Sequence, residues 1–506
     1  MPRGKPLSQN VRRAPLKREY DMIVIGGGAA GLTSAGISAN LGAKTMMIEA
    51  HRLGGDCTWT GCIPSKVLLK AAKVASQLRH AGRYGLLDNE PEIDFQKIIA
   101  YVQKVREDVY EEADNPEIFE AMGIEVVHGK ARFTDPHTVI IENGGESREV
   151  TSRFFIIATG SSAVVPPIDG LKEVPYMTNE NLFEQHDFPE SLAIIGGGPI
   201  GIEMAQAFTR LGSNVTVFDM MDSILVNDHP ELALQLRQTL ESEGVRFILG
   251  AGVKNVSESR SGISIKYEWQ SGTHTLDASK LLVSAGRRAN TDGLGLDDAG
   301  VVWSRKGIEI NNRCRTNRKH IFAAGDVAGR FQFTHMSEHM AKVAATNALL
   351  RIPFKMDSRH VPWATYTDPE LAHVGTAEKE LIETGTVYEV YKFPYSKIDR
   401  AVTDSETNGW IRVYAKPITG KILGADILGT HAGDLIGEFA LAMRNGISLR
   451  SMADTIHPYP TYGLGARRAA DQWYVKNQKL WQIKLIRKIF GYRGNLPDLS
   501  DKDRIV

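Results

Sequence analysis

Cysteine is scarce in this chain, with three in 506 residues. Three thiols cannot build the disulfide framework of a small secreted scaffold, so stability has to come from buried apolar cores. No apolar run approaches the ~20 residues that a spanning helix needs. Net charge is lacking too, with 60 Lys plus Arg against 60 Asp plus Glu. A neutral chain exerts no global pull on polyanions, and no nucleic-acid partner is expected. Nor is a resident metal. The basic opening MPRGKPLSQNVRRAPLKREY lacks the apolar stretch of a secretory signal. Residues 1–19 read as a disordered basic tail, with organelle targeting as the alternative. Together these absences point to a soluble cytoplasmic protein.

Glycine, by contrast, is plentiful at 48 residues, and the length suits about three domains. One pattern occurs twice. The stretches IVIGGGAAGLTSAGISANLGAKTMMIEA and AIIGGGPIGIEMAQAFTRLGSNVTVFDM each run from a β-branched strand into G-x-G-x-x-G, at Gly26, Gly28 and Gly31 and again at Gly196, Gly198 and Gly201. In both, the acid that ends the next strand, Glu49 or Asp219, lies 23 residues beyond the first glycine. Ala35, Leu41 and Gly42 recur as Ala205, Leu211 and Gly212. The first glycine makes a tight turn, the second admits a pyrophosphate, and the third lets helix pack on strand. The helix N-terminus adds free N–H groups and a positive dipole end. Two such units imply two dinucleotides. Asp219 would accept hydrogen bonds from a ribose 2′-hydroxyl and repel a 2′-phosphate. No arginine follows in FDMMDSILVND, so NADH is favoured over NADPH at the second site.

The remaining chemistry gathers in GGDCTWTGCIPSK, which holds Cys57 and Cys62 with Lys66 four residues on. The nucleophilic form of a thiol is the thiolate, which a helix N-terminus or a nearby cation stabilises. CIPSKVLLKAAKVASQL predicts a helix beginning near Pro64, a proline being harmless in a first turn. That helix would place Cys62 at the positive end of its dipole. Cys314, in INNRCRTN, has no motif around it and reads as a bystander.

On these residues the chain resembles the FAD-dependent pyridine nucleotide-disulfide oxidoreductases, the family of dihydrolipoamide dehydrogenase, glutathione reductase and mercuric reductase. The resemblance runs from about residue 20 to about residue 475. It includes ATGS at Ala158 to Ser161 and IFAAGDV at Ile321 to Val327. It implies that Cys57 is the interchange thiol that attacks substrate, and that Cys62 faces the flavin and forms the redox disulfide with Cys57. Lys66, paired with Glu203, would stand beside the flavin N5. Glu49, Thr159, Gly160, Gly325 and Asp326 would join Gly26, Gly28 and Gly31 in holding FAD. Gly286 would join the second glycine motif and Asp219 at the NAD site.

The resemblance also implies an α/β fold with two Rossmann-like domains and a C-terminal α/β dimerisation domain. The FAD domain is expected at residues 20–167 and 289–355, the NAD domain at 168–288 and the dimerisation domain at 356–475. A homodimer and a small-molecule electron acceptor follow. The implied reaction is mercuric reductase-like, passing electrons from NAD(P)H through FAD to Cys57 and Cys62 and on to a disulfide or soft-metal acceptor. Quinone reduction, dihydrolipoamide dehydrogenase-like activity and a poorly turning-over redox sensor are the alternatives.

Two departures from the family's pattern stand out. Disulfide reductases end their dimerisation domain with a histidine, paired with a glutamate five residues later, that acts as acid/base for the partner subunit's thiols. Aligned on Pro460 and Thr461, this chain has Tyr459 and Leu464 there. Histidine titrates near working pH, whereas tyrosine, at about 10, does not. Tyr459 takes the aligned place, and His457 is the alternative acid/base. A tyrosine there is similar to mercuric reductase, yet that enzyme delivers metal through a C-terminal cysteine pair, and here no cysteine follows Cys314. Beyond the resemblance, residues 476–493 place Trp481, Leu485, Ile486, Ile489 and Phe490 on one helical arc opposite Lys484, Arg487 and Lys488. Such a helix can pack against a dimer partner or lie on an anionic membrane surface.

Overall fold

The computed structural model describes residues 18–499. The disordered-tail reading of residues 1–19 falls largely outside that span. The chain forms two compact units.

Among the described residues, the first comprises 18–55, 110–161 and 289–356. Its parallel strands run in the order Glu125–His128, Thr45–Glu49, Tyr20–Ile25, Glu146–Ile157 and Ile321–Ala323. These strands read as almost continuous apolar runs because they are covered on both faces; Met22, Ile23, Val24, Met46 and Met47 are fully buried. The long strand Glu146–Ile157 outgrows this sheet, and its first half pairs antiparallel with Thr138–Asn143, which in turn pairs with Lys130–Asp135. Helix Ala29–Asn40 packs on helix Thr334–Leu349, both rich in small residues that allow a close approach.

The second unit comprises, among the described residues, 56–109, 162–288 and 357–499. It repeats the parallel pattern with Arg246–Leu249, Asn214–Asp219, Ser191–Ile195 and Lys280–Val283. An antiparallel sheet spans Gly252–Ser259, Gly262–Trp269 and Gly272–Ala278. Helix Cys62–Arg79 packs against helices Pro199–Arg210 and Phe95–Val109 around Leu68, Ala72, Val102, Ile202 and Ala205. A five-stranded antiparallel sheet follows, with order Pro362–Thr365, Glu370–Gly375, Ile422–Gly429, Trp410–Ala415 and Glu389–Pro394. One face of it is covered by helices Ala432–Arg444 and Gly463–Asn477, which close a core around Tyr391, Phe439 and Ala466. Helix Leu480–Phe490 ends the described chain.

Among the described residues no helix is long and apolar enough to cross a membrane. The fold is the α/β class expected, with two parallel-sheet nucleotide folds and an α/β module after them.

Candidate active site: two nucleotide cradles and a dithiol helix

In the first unit, strand Tyr20–Ile25 delivers the chain into a turn that only glycines can make. Gly26 has φ +107°, and a Cβ there would lie 2.3 Å from the Ala158 carbonyl oxygen. A Cβ on Gly31 would meet the Gly26 carbonyl oxygen at 1.8 Å, so the third glycine is what lets helix Ala29–Asn40 sit on its strand. Gly28 caps that helix with no side-chain acceptor for the first-turn N–H groups, which stay available to an anion. At the end of the next strand Glu49 is fixed, its two oxygens accepting from the Gly27 N–H at 2.6 Å and the His51 N–H at 2.7 Å. Lone pairs remain on both oxygens for ribose hydroxyls.

The other residues expected at this nucleotide gather in the same unit. Thr159 Oγ1 donates to the Asn290 carbonyl at 2.7 Å, and Asn290 Nδ2 donates back to the Thr159 carbonyl at 3.0 Å. Gly160 has φ +70° with open space where a Cβ would point. Asp326, after the short strand Ile321–Ala323, accepts from the Ser161 hydroxyl at 2.6 Å. Gly325, at φ +80°, brings this turn close to Ala30 at the start of the first glycine helix. Uncapped N–H groups, an anchored ribose acid and open space at Gly160 fit a dinucleotide such as FAD.

The second unit builds the same device again. Gly196 has φ +118°, and a Cβ would stand 2.4 Å from the Ser284 carbonyl oxygen. One on Gly201 would stand 2.0 Å from the Gly196 carbonyl oxygen, and Gly198 faces open space. Asp219 accepts from the Gly197 N–H at 2.6 Å and the Met221 N–H at 2.8 Å. Gly286, at φ +108°, also has nothing near its missing Cβ. The two methionines after Asp219 are exposed, and Asp222 adds a second acid in the same loop, facing Gly250.

The dithiol segment lies in the second unit, apart from its leading glycines. Gly55 makes a close approach within the first unit, where a Cβ would stand 2.8 Å from the Gly28 Cα. Cys57 lies in the short helix Gly55–Trp59, and Cys62 is the first residue of helix Cys62–Arg79. That helix starts two residues ahead of the predicted Pro64. The first-turn N–H groups have no intrahelical acceptor, so proline fits anywhere in the turn. Both thiols are half-buried. Cys314 is fully buried and its thiol is pushed up to about 12 by burial, an inert state that matches the bystander reading.

One turn into the dithiol helix, Lys66 Nζ meets Glu203 Oε2 at 3.0 Å. Glu203 comes from helix Pro199–Arg210, the helix that the second glycine turn opens. Its other oxygen accepts from the Tyr366 N–H at 2.9 Å, and Lys66 Nζ sits 4.4 Å above the Tyr366 ring. Sequence reasoning missed Tyr366, which no motif marks. It also missed Asp56, although that residue stands inside GGDC. Asp56 accepts from Arg287 Nη2 at 2.6 Å and from Asn179 Nδ2 at 3.1 Å, as well as from the Thr60 hydroxyl. It thereby fixes the bend between the two thiols, where a Cβ on Gly61 would press on the Asp56 carbonyl oxygen at 2.9 Å.

The two residues considered for acid/base work part company. Tyr459 is 70% exposed. The His457 side chain is 10% exposed and engages both ring nitrogens within its own chain, Nε2 with Glu438 at 2.9 Å and Nδ1 with the Thr455 carbonyl at 3.1 Å. Leu464 is buried at the start of helix Gly463–Asn477.

With this geometry in place, relatives sharpen the picture. The chain matches the pyridine nucleotide-disulphide oxidoreductase family model over residues 20–341 and that family's dimerisation domain over 361–469. It is 33% identical to a dihydrolipoyl dehydrogenase of Geobacillus stearothermophilus, over 90% of this chain and 96% of that one. It is 33% identical to a mercuric reductase of Streptomyces lividans, over 89% of this chain and 95% of that one. Among solved structures, the Cu(II) complex of the HOCl-induced flavoprotein disulfide reductase RclA of Escherichia coli superposes with a TM-score of 0.80 at 26% identity, over 90% of this chain and 99% of that one. LpdA of Mycobacterium tuberculosis gives 0.81 at 26% identity, over 89% and 99%. The chain belongs to the pyridine nucleotide-disulphide oxidoreductase family, whose members are FAD-dependent enzymes.

Proposed function

We propose that this enzyme takes electrons from NADH and delivers them through Cys57 and Cys62 to a thiophilic metal ion. The observation that carries this reading is the pairing of a helix-start thiol, Cys62, with Lys66 on the same helix, ion-paired to Glu203 of helix Pro199–Arg210, and an acid/base position left to an exposed tyrosine. When bound, FAD would supply hydride acceptance from the nicotinamide and two-electron transfer to the Cys57–Cys62 disulfide, which opens to the dithiol.

The chain's own residues do the rest. Gly26, Gly28, Gly31, Glu49, Thr159, Gly160, Gly325 and Asp326 hold FAD. Gly196, Gly198, Gly201, Asp219 and Gly286 hold NADH. The acid at Asp219 disfavours a 2′-phosphate, and so NADPH. Lys66 supplies fixed positive charge, and Glu203 and the Tyr366 N–H hold that lysine in place. The N-terminal dipole of helix Cys62–Arg79 favours the Cys62 thiolate. Cys57 is the more substrate-facing thiol.

Acceptor chemistry separates the metal from the disulfide. Reducing a disulfide breaks an S–S bond and requires two protons for the departing thiols, which calls for an acid of suitable pKa. Reducing Hg(II) to the element takes two electrons and no proton; Cys57 and Cys62 form their disulfide and release their own protons. The aligned position holds a tyrosine in place of a histidine, and both His457 ring nitrogens are engaged within its own chain. Mercuric reductases among the relatives and the Cu(II) complex of RclA support the same acceptor class. We further propose that the dimerisation domain joins two copies of this chain, with Tyr459 directed to the partner.

The test is stopped-flow reoxidation of the NADH-reduced holoenzyme by Hg(II), Cu(II), oxidised glutathione, lipoamide and a short-chain quinone, with Cys57→Ser in parallel. The expected result is fastest reoxidation by a metal ion, abolished in the variant. Fast reoxidation by a disulfide would overturn the metal assignment, and quinone reduction that survives Cys57→Ser would move the chemistry off the thiols.

A further inference from the structure

Helix Leu480–Phe490 lies beyond residue 469, where the match to the family's dimerisation domain ends. The RclA and LpdA structures are covered almost completely, yet leave about a tenth of this chain unmatched. No residue of the helix is buried. Eleven residues are too few to hold a helix in water on propensity alone, so such a segment draws stability from a surface it covers. Its ends are locally defined. The Gln482 side chain accepts from the Lys479 N–H at 3.2 Å, and Gly491 terminates the helix at φ +68°.

At 100° per residue, Trp481, Leu485, Ile489, Ile486 and Phe490 share one side, interrupted by Gln482, and Arg487, Lys484 and Lys488 occupy the other. Trp481, Ile489 and Phe490 are 63%, 63% and 64% exposed. Tyr492, just past the helix, is exposed as well. Residues 472–497 contain six basic residues and no acid, in a chain whose charge otherwise balances. Among the described residues no ion pair joins Lys484, Arg487 or Lys488 to an acid.

We infer that this helix docks the enzyme on an anionic lipid surface, its apolar side entering the headgroup boundary while its lysines and arginine meet lipid phosphates. Charge selects this occupant. A second copy of the same segment would bring six positive charges against six, without an acid to offset them, whereas an anionic bilayer offers apolar depth and negative charge together. Trp481 and Tyr492 are the amphipathic rings favoured at the membrane boundary.

The test uses full-length, FAD-loaded protein sedimented with vesicles of phosphatidylcholine containing one quarter phosphatidylglycerol, against vesicles of phosphatidylcholine alone. Binding to the anionic vesicles is expected to exceed binding to the neutral ones by about tenfold and to weaken in high salt. Trp481→Ser/Ile489→Ser and Lys484→Glu/Arg487→Glu/Lys488→Glu should each remove it. These positions are on the surface, so flavin content and flavin reduction by NADH should stay at wild-type values and report intact folding. Equal binding to both vesicle types, or binding unchanged by either variant, overturns the proposal. So does a loss of dimer by light scattering in Trp481→Ser/Ile489→Ser, which would assign the apolar side to a second copy.

Discussion

The dithiol segment and the loop before helix Gly463–Asn477 would serve one reaction in the function proposed above, and they match the family's expected pattern to different degrees. Around the thiols every residue that the resemblance assigns to electron handling is present. Cys62 opens its helix, Lys66 is paired with Glu203 at 3.0 Å, and Asp56 holds the bend between the two cysteines. In the loop, the histidine and glutamate that the resemblance leads one to expect are absent: Tyr459 is exposed at the one position, and Leu464 is buried at the other. Electron transfer through a thiol needs position and a stabilised thiolate, whereas proton transfer needs a group whose pKa lies near the working pH. The two requirements are separable, and in the function proposed above this chain meets only the first. An acceptor that needs no proton is the consistent partner for such a site.

The sharpest way to break the comparison is to remove the electron-handling thiol. Cys57→Ser should lower turnover with thiophilic acceptors by more than about a thousandfold while leaving flavin reduction by NADH intact. Turnover assays beside anaerobic flavin reduction would check this, and parallel loss of both would contradict it. Next in size is Glu203→Gln, which keeps an acceptor for the Tyr366 N–H but leaves Lys66 without its counter-charge. A fall of about 10- to 100-fold in the reductive half-reaction is expected, because a preorganised charge is lost where charge develops. A normal rate in that variant would leave the ion pair with a packing role alone.

How much of this could be read from sequence depends on whether the signal is local. The glycine turns were legible because each needs its residues within one βα unit, and the equal spacing to Glu49 and Asp219 reflects equal strand–helix–strand lengths. The start of the dithiol helix came within two residues, blurred because proline fits anywhere in a first turn. The hidden parts are contacts made far along the chain. Asp56 is tied to Arg287 and Asn179, and Glu203 takes its second hydrogen bond from the backbone of Tyr366. A backbone donor leaves no trace in residue identity. His457 illustrates the same limit, since its distance from the aligned position gave no hint that Glu438, on helix Ala432–Arg444, would occupy its Nε2.

Smaller effects sharpen the comparison from the side of each reactant. Asp219→Ala should weaken the NADH preference over NADPH by about tenfold or more, the worth of one hydrogen bond to a charged group. The ratio of kcat/KM for the two donors measures it directly, and an unchanged ratio would place donor selection elsewhere. The subtlest change restores what the loop lacks. Tyr459→His supplies an imidazole, whose ordinary pKa is ~6.5, at the aligned position. Its protonated form can donate to a departing thiol, so turnover of oxidised glutathione or lipoamide should rise several-fold and fall again as pH climbs through that value. Hg(II) turnover draws on no such proton and should stay flat in the same variant. If both acceptors respond alike, the loop does not control proton supply, and the separation of electron from proton handling fails as an account of this site.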